Sequence, residues 1–197
     1  MGISDIKKLN VLWGKIYPFL AAQVISILPE GARRLMELGP FSGGISFELA
    51  KASRDYSIVI ADRRKEILDY LSGEARNLNL LGQIRLAQTD LSALEFREAE
   101  FDGVISRGAF FFLDKSMLSE IHRVLRPGGV GFIGGGFGES TPRDLIDEIG
   151  SESRRLNEKL GKKWISRTQL EELTIEAHLE RCSRIIEKGG LWVLLQK

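Results

Sequence analysis

The chain has 197 residues, 43% of them hydrophobic, and a formal net charge of +1 from 28 Lys+Arg against 27 Asp+Glu. That much apolar material buries one core, so a single domain over 1–197 is expected, and the near-neutral charge gives no footprint for nucleic acid or an anionic membrane. One cysteine, Cys182, excludes a disulfide framework and any multi-cysteine metal site; no signal-peptide or membrane-length apolar run is visible, so a cytoplasmic protein is expected.

Leu9, Leu12, Trp13, Ile16, Tyr17, Leu20, Val24, Ile27 and Leu28 recur at helical spacing, with a break near Pro18. Two short helices are predicted, ending at Pro29-Glu30-Gly31. They read either as an amphipathic cover or as a lid over a ligand pocket, with Trp13 and Tyr17 facing the substrate. A strand over 33–38 carries the acid Glu37 near its end and breaks into Gly39-Pro40-Phe41-Ser42-Gly43-Gly44. A helix over 43–53 follows. Strand, glycine turn, helix is how α/β proteins hold nucleotide-like ligands: the turn admits the ligand to the backbone, and the helix N-terminus offers unpaired N–H groups.

The second strand, 57–62, is apolar and ends on Asp62; a helix spans 64–79 and a third strand 83–88, followed by Thr89-Asp90-Leu91. The near-continuous apolar character suits a parallel sheet covered on both faces. A fourth strand, 101–106, leads into the connector Arg107-Gly108-Ala109-Phe110-Phe111-Phe112, whose phenylalanines read as core before pocket. A helix over 115–125 stops at Arg126-Pro127-Gly128-Gly129, and a fifth strand spans 130–135. Gly134-Gly135-Gly136-Phe137-Gly138 forms a second glycine corner, with N–H groups for a substrate anion or simply room for the strand to end. Thr141-Pro142-Arg143-Asp144 reads as N-cap, proline at N1 and acid at N3. That helix runs to about 160; another starts near Ser166 or Thr168, with Ile165 and Leu170 as a staple. Strands over 183–187 and 191–196 flank Gly189-Gly190 as an antiparallel hairpin. The sum is a seven-stranded, mostly parallel α/β sheet with an antiparallel last strand and helices on both faces.

The turn separates two ligand classes. A dinucleotide fingerprint needs glycine at the position of Phe41, whose side chain would crowd a pyrophosphate. A short-chain reductase also wants Lys four residues after Tyr; Tyr17, Tyr56 and Tyr70 are followed there by Ala21, Ile60 and Glu74. S-adenosylmethionine has no pyrophosphate, which leaves it the better fit.

Glu37-Leu38-Gly39-Pro40-Phe41-Ser42-Gly43-Gly44, Asp62, Thr89-Asp90-Leu91, Phe101 to Gly108, and Arg123-Val124-Leu125-Arg126-Pro127-Gly128-Gly129 together resemble a class I S-adenosylmethionine-dependent methyltransferase. They are similar in order and spacing to the small type 11 methyltransferase domains. Ser106-Arg107-Gly108 with the 134–138 corner is similar to a small prokaryotic subgroup whose substrates the resemblance does not name. It covers 33–137 best and implies the Rossmann-like class I methyltransferase sandwich, with S-adenosylmethionine as cofactor and S-adenosylhomocysteine as product.

By that resemblance Gly39 and Gly43 frame the turn, and Pro40, Phe41 and Ser42 line the methionine end. Glu37 holds the amino group, or else caps loop N–H groups. Asp62, 23 residues past Gly39, takes both ribose hydroxyls, as an acceptor-only carboxylate can; otherwise it is an N-cap. Arg63 lies against the adenine, or is a surface cation. Thr89 and Asp90 begin the adenine loop, with Asp90 accepting from the adenine amino group (or forming a turn) and Leu91 giving an apolar contact. Ser106 and Arg107 hold the methionine part and face the methyl; Arg107 also suits substrate grip or a structural salt bridge. Phe41 departs from the family's usual glycine, which motivates the alternative of a non-catalytic S-adenosylmethionine- or S-adenosylhomocysteine-binding module.

Methyl transfer from a sulfonium mainly requires an oriented nucleophile and exclusion of water. His122 and His178 read as structural, which leaves Tyr17 and Arg107 as catalytic candidates. The segment after the fourth strand lacks the Asx-Pro-Pro-aromatic motif of nucleic-acid amino-methylating enzymes. With one cysteine and no basic face, a small-molecule methyl acceptor is the expectation.

Overall fold

In the computed structural model, residues 2–39 and 43–197 are described. Two amphipathic helices open the chain, α1 (Ile3–Trp13) and α2 (Tyr17–Ile27), followed by β1 (Arg34–Leu38), α3 (Gly44–Ala52), β2 (Ser57–Asp62), α4 (Lys65–Asn77) and β3 (Ile84–Gln88). After a loop come β4 (Phe101–Arg107), a 3-10 turn (Ala109–Phe111), α5 (Lys115–Val124) and β5 (Leu125–Gly136). The chain closes with α6 (Arg143–Lys159), α7 (Arg167–Glu176), β6 (Ser183–Ile186) and β7 (Gly190–Gln196).

The sheet order is β3-β2-β1-β4-β5-β7-β6, with β7 antiparallel to both neighbours. Strand alternation sends the two core faces apart. Leu35, Ile58, Ile60, Ile105, Phe132 and Trp192 face one cluster, with α1–α4 and α6. Met36, Val59, Val104, Ile133, Val193 and Leu195 face the other, with α5 and α7. The covering helices change sides between β1 and β4, and the crevice outside the strand ends at such a switch is where open α/β sheets bind ligands.

Two expected boundaries move, and a third is decided between its alternatives. The Arg126–Gly129 stop lies inside β5: Leu125 pairs with Phe101, the register then slips, and Val130 pairs with Gly103. Pro127 is tolerated at that irregularity because no ladder hydrogen bond is required of it. Pro142, not Thr141, occupies the N-cap of α6; the Thr141 hydroxyl donates instead to the Phe137 carbonyl. Of the two possible starts for α7, Ser166 is the cap, in a reciprocal capping box with Gln169.

The glycine corner after β5 is used by packing against β7. A Cβ on Gly134 would lie 2.2 Å from the Leu191 carbonyl oxygen, and one on Gly136 2.3 Å from that of Gly189. Of the two readings of this corner, close approach of two backbones is the one the geometry supports.

Candidate active site

Glu37, Gly39, Gly43, Asp62, Ser106 and Arg107 converge at the C-terminal ends of β1, β2 and β4, beside the start of α3. Pro40, Phe41 and Ser42 lie outside the described residues. Gly43, at φ +112, caps α3 in a conformation that favours glycine.

Glu37 is buried, and its Oε2 accepts from the Ser46 N–H at 2.8 Å. It therefore caps α3 from beneath, the second of the two roles expected for it. Burial pushes its carboxyl pKa up, while Ser46, the Gly43 amide and the Arg107 charge pull it back. Its Oε1 accepts no hydrogen bond among the described residues, which leaves an acceptor at the turn.

Asp62 is 1% exposed. Its Oδ1 accepts from the Arg64 N–H at 2.8 Å, two residues on, so it stabilises the start of the loop to α4 rather than capping that helix, whose N-cap is Arg64. Its Oδ2 is buried with no hydrogen-bond partner among the described residues. Burial is also the main cause that raises its pKa. A Cβ on Gly39 would sit 1.8 Å from that oxygen, so Gly39 is required by space: β1 ends against the Asp62 carboxylate.

Asp62, Arg63, Asp90, Leu91, Phe111 and Phe112 line one cavity of about 210 Å³. Arg63 is exposed at its rim, and its carbonyl accepts from Gln88 Nε2 at 3.1 Å. Thr89 is buried and structural: its amide donates to the Asp62 carbonyl at 3.1 Å and its hydroxyl accepts from the Glu95 N–H at 3.2 Å. Asp90 is exposed and its Oδ1 accepts from the Ser92 N–H at 2.9 Å, a turn-forming geometry at the cavity wall.

Sequence reasoning missed Arg64, Ser92 and Asp114 as cavity walls and put Phe111 and Phe112 in the core. Only Phe110 of the three phenylalanines is fully buried. The signal for the other two was their place directly after the fourth strand, at the ligand end of the sheet.

Ser106 is fully buried, and its hydroxyl donates to the Leu38 carbonyl at 3.5 Å across the β1–β4 seam. Arg107 is 4% exposed. Its guanidinium lies 4.1 Å from the Trp13 ring centroid and 5.3 Å from that of Tyr17, and its Nη2 donates to Tyr17 Oη at 3.2 Å. Two aromatic faces thus pack against this planar cation, an arrangement that suits a guanidinium, and its charge also acts on the Glu37 carboxyl.

Tyr17 in turn donates to Asn10 Oδ1 at 2.7 Å, and its ring rests on Gly44, where a Cβ would meet it at 2.2 Å. Tyr17, at the start of α2, thus packs on the first residue of α3. Burial drives the Tyr17 pKa up to about 12, which makes it a poor base at neutral pH; its geometry is that of a group positioning Arg107. A raised tyrosine pKa keeps the folded protein protonated after the unfolded chain has ionised. Its contribution to stability is intact below about pH 10 and is lost as pH climbs toward 12. Tyr17→Phe is expected to flatten that decline between pH 10 and 12, measured by denaturant unfolding; parallel pH curves for the two proteins would contradict it.

Among the described residues no group of three or more His, Cys, Asp or Glu is placed to hold a metal. No helix of the described residues is long and apolar enough to cross a membrane.

The 3-2-1-4-5-7-6 sheet with its antiparallel β7 and an acid at the end of β2 matches the Rossmann-like methyltransferase sandwich. A family model described as a methyltransferase domain matches residues 35–129. A candidate S-adenosylmethionine-dependent methyltransferase from Methanococcus maripaludis has a similar structure, with TM-score 0.83 and 28% identity over 98% of this chain and 91% of that one. A methyltransferase from Aquifex aeolicus shares the fold, with TM-score 0.71 and 18% identity over 99% and 97% of the two chains. The ubiquinone/menaquinone biosynthesis C-methyltransferase of Escherichia coli is 32% identical over 106 residues, 51% of this chain and 42% of that protein. The match to these curated relatives therefore spans less than half their length. The chain carries a methyltransferase domain over 35–129 and is similar in sequence and fold to S-adenosylmethionine-dependent methyltransferases, whose cofactor is S-adenosylmethionine.

Proposed function

We propose that the chain transfers the methyl group of S-adenosylmethionine to a small molecule in the crevice above β1, β2 and β4. The observation that carries this is Asp62 Oδ2, a buried acceptor without a partner among the described residues, on a residue lining a cavity of about 210 Å³. A vicinal diol satisfies such an oxygen, because both hydroxyls donate and an ionised carboxylate only accepts. Asp62 would hold the ribose. Arg63, Asp90, Leu91, Phe111 and Phe112 would surround the adenine. Glu37, Gly39, Gly43 and the 40–42 turn would take the methionine end, where Glu37 Oε1, without a partner among the described residues, suits an ammonium.

Bound S-adenosylmethionine supplies an electrophilic methyl group on a sulfonium. The chain's own task is to orient an acceptor and keep water out. Trp13, Tyr17 and Arg107, packed as one unit over the strand ends, suit that task. The near-neutral charge and the absence of a membrane-crossing helix among the described residues support a small, soluble acceptor and a cytoplasmic setting.

The test is calorimetric titration with S-adenosylhomocysteine, S-adenosylmethionine and NADH, on the native chain and on Asp62→Asn. Asn keeps the Oδ1 acceptor for Arg64 but replaces Oδ2 with a donor. Loss of one or two charge-assisted hydrogen bonds should weaken S-adenosylhomocysteine binding roughly 10- to 100-fold, with stability unchanged or higher because a buried carboxylate is removed. Unchanged affinity would put the ribose elsewhere. Turnover with any small acceptor rules out a non-catalytic binding module.

A further inference from the structure

A second cavity, of about 630 Å³, opens where the end of β5 meets α6 and the 160–165 segment. Its walls include the aromatic side chains of Trp13, Phe110, Phe137 and Trp164. Trp13 is fixed on three sides: it stacks on Phe137 at 4.8 Å with the planes 3° apart, its Nε1 donates to Ser153 Oγ at 2.9 Å, and it carries the Arg107 guanidinium. The cavity therefore borders the end of β4. Phe110 joins it to the adenosine side, since Phe111 and Phe112, the next two residues, line the first cavity. Trp164 is 67% exposed, a large apolar group on the rim.

The cations are distributed unevenly. Those on α6 that point elsewhere are matched by acids: Arg155 by Glu152 at 2.6 Å and Lys159 by Asp5 at 2.9 Å. The one acid on the cavity wall, Asp147, is taken by Arg143 at 3.3 Å. Arg154 and Lys162 also line the cavity, and no carboxylate pairs with either among the described residues. Lys162 is half-buried, with its Nζ 4.7 Å from the Trp164 ring centroid. Its pKa is lowered by burial and by the Arg107 charge. A partly desolvated ammonium facing a second cation gains from any anion placed beside it.

We propose that this cavity binds the methyl acceptor, and that the acceptor is a small monoanion with a flat apolar body, its charge held by Lys162 and Arg154 and its body by Trp13, Phe110 and Trp164. This assignment rests on the methyl-transfer reading above. The volume is in the ordinary range for small-molecule sites, which are mostly apolar with a few convergent polar groups.

The experiment is calorimetric titration of the full chain, saturated with S-adenosylhomocysteine, with 2-naphthoate and with methyl 2-naphthoate. The two probes share a body and differ in charge. Naphthoate is expected to bind at least about tenfold more tightly than the ester. Lys162→Met and Lys162→Gln should each bring the two probes to near parity, while Arg155→Ala, which removes an exposed and paired charge from the neighbouring α6, should leave the preference intact. Equal affinity for both probes in the native chain, a preference that survives in a folded Lys162 variant, or no binding of either probe while S-adenosylhomocysteine binds would each overturn the proposal and leave the methyl-transfer reading standing. Failure of S-adenosylhomocysteine itself to bind removes the methyl-transfer reading, and with it the acceptor role of this cavity, whatever naphthoate does.

Discussion

Gly39→Ala is expected to abolish measurable S-adenosylhomocysteine binding and to lower stability by about 1–3 kcal/mol, the usual cost of overpacking a filled site. The new methyl carbon would stand 1.8 Å from Asp62 Oδ2 and 2.6 Å from its Cγ. Neither partner can retreat easily. The Gly39 N–H donates to the Ala61 carbonyl at 2.8 Å, and the Asp62 Oδ1 is tied to Arg64. The carboxylate must swing away, and with it the oxygen assigned to the ribose. Thermal denaturation and calorimetry on Gly39→Ala, Asp62→Ala and the double variant complete a cycle. The double variant should recover most of the lost stability and none of the binding. Full binding in Gly39→Ala would mean that Asp62 does not hold the ligand from its present position.

Arg107→Ala should be the costliest change above the sheet, at about 2–4 kcal/mol, because a buried long side chain is replaced by a cavity and contacts with Trp13 and Tyr17 are lost. The Glu37 carboxyl also loses a neighbouring positive charge that holds its pKa down, so its protonation should move to still higher pH. Arg107→Lys keeps the charge but not the planar face, and a stacked arginine is not replaced by lysine without loss. Turnover in both variants is expected to fall roughly 100-fold or more, since misplacement by an ångström near a reacting centre costs that much. Both variants are read by thermal unfolding and by S-adenosylhomocysteine release with an identified acceptor. If Arg107→Lys unfolds and turns over as the native chain does, the guanidinium is a bystander.

The core of the site was legible because chemistry and period coincide there. Strand-length apolar runs ending on Glu37, Asp62 and Ser106 mark strand termini, and strand termini in a parallel sheet all point to one edge. The order of motifs then gives the class. Local signals failed where tertiary packing outbid them. Thr141 has the right spacing for an N-cap, yet its hydroxyl serves Phe137, because the chain must turn from β5 into α6 there. Arg126 to Gly129 carries strong stop residues, but pairing with β4 extends β5 through them.

The sequence by itself determined the α/β class, the seven elements of the sheet, the glycine turn and the acid after the second strand, since each depends on residue type and spacing within one segment. Only the tertiary structure decided that Arg107 packs on Trp13 and Tyr17, that Glu37 caps α3, and that Phe111 and Phe112 wall one cavity while the more deeply buried Phe110 borders another. Those partners are far apart in the chain, with Trp13 and Arg107 separated by 94 positions, and no periodicity records which faces meet. They meet because burying the apolar stripes of α1 and α2 against α3 and α6 leaves one place where the end of β4 can put a cation out of water, on the faces of two aromatic rings.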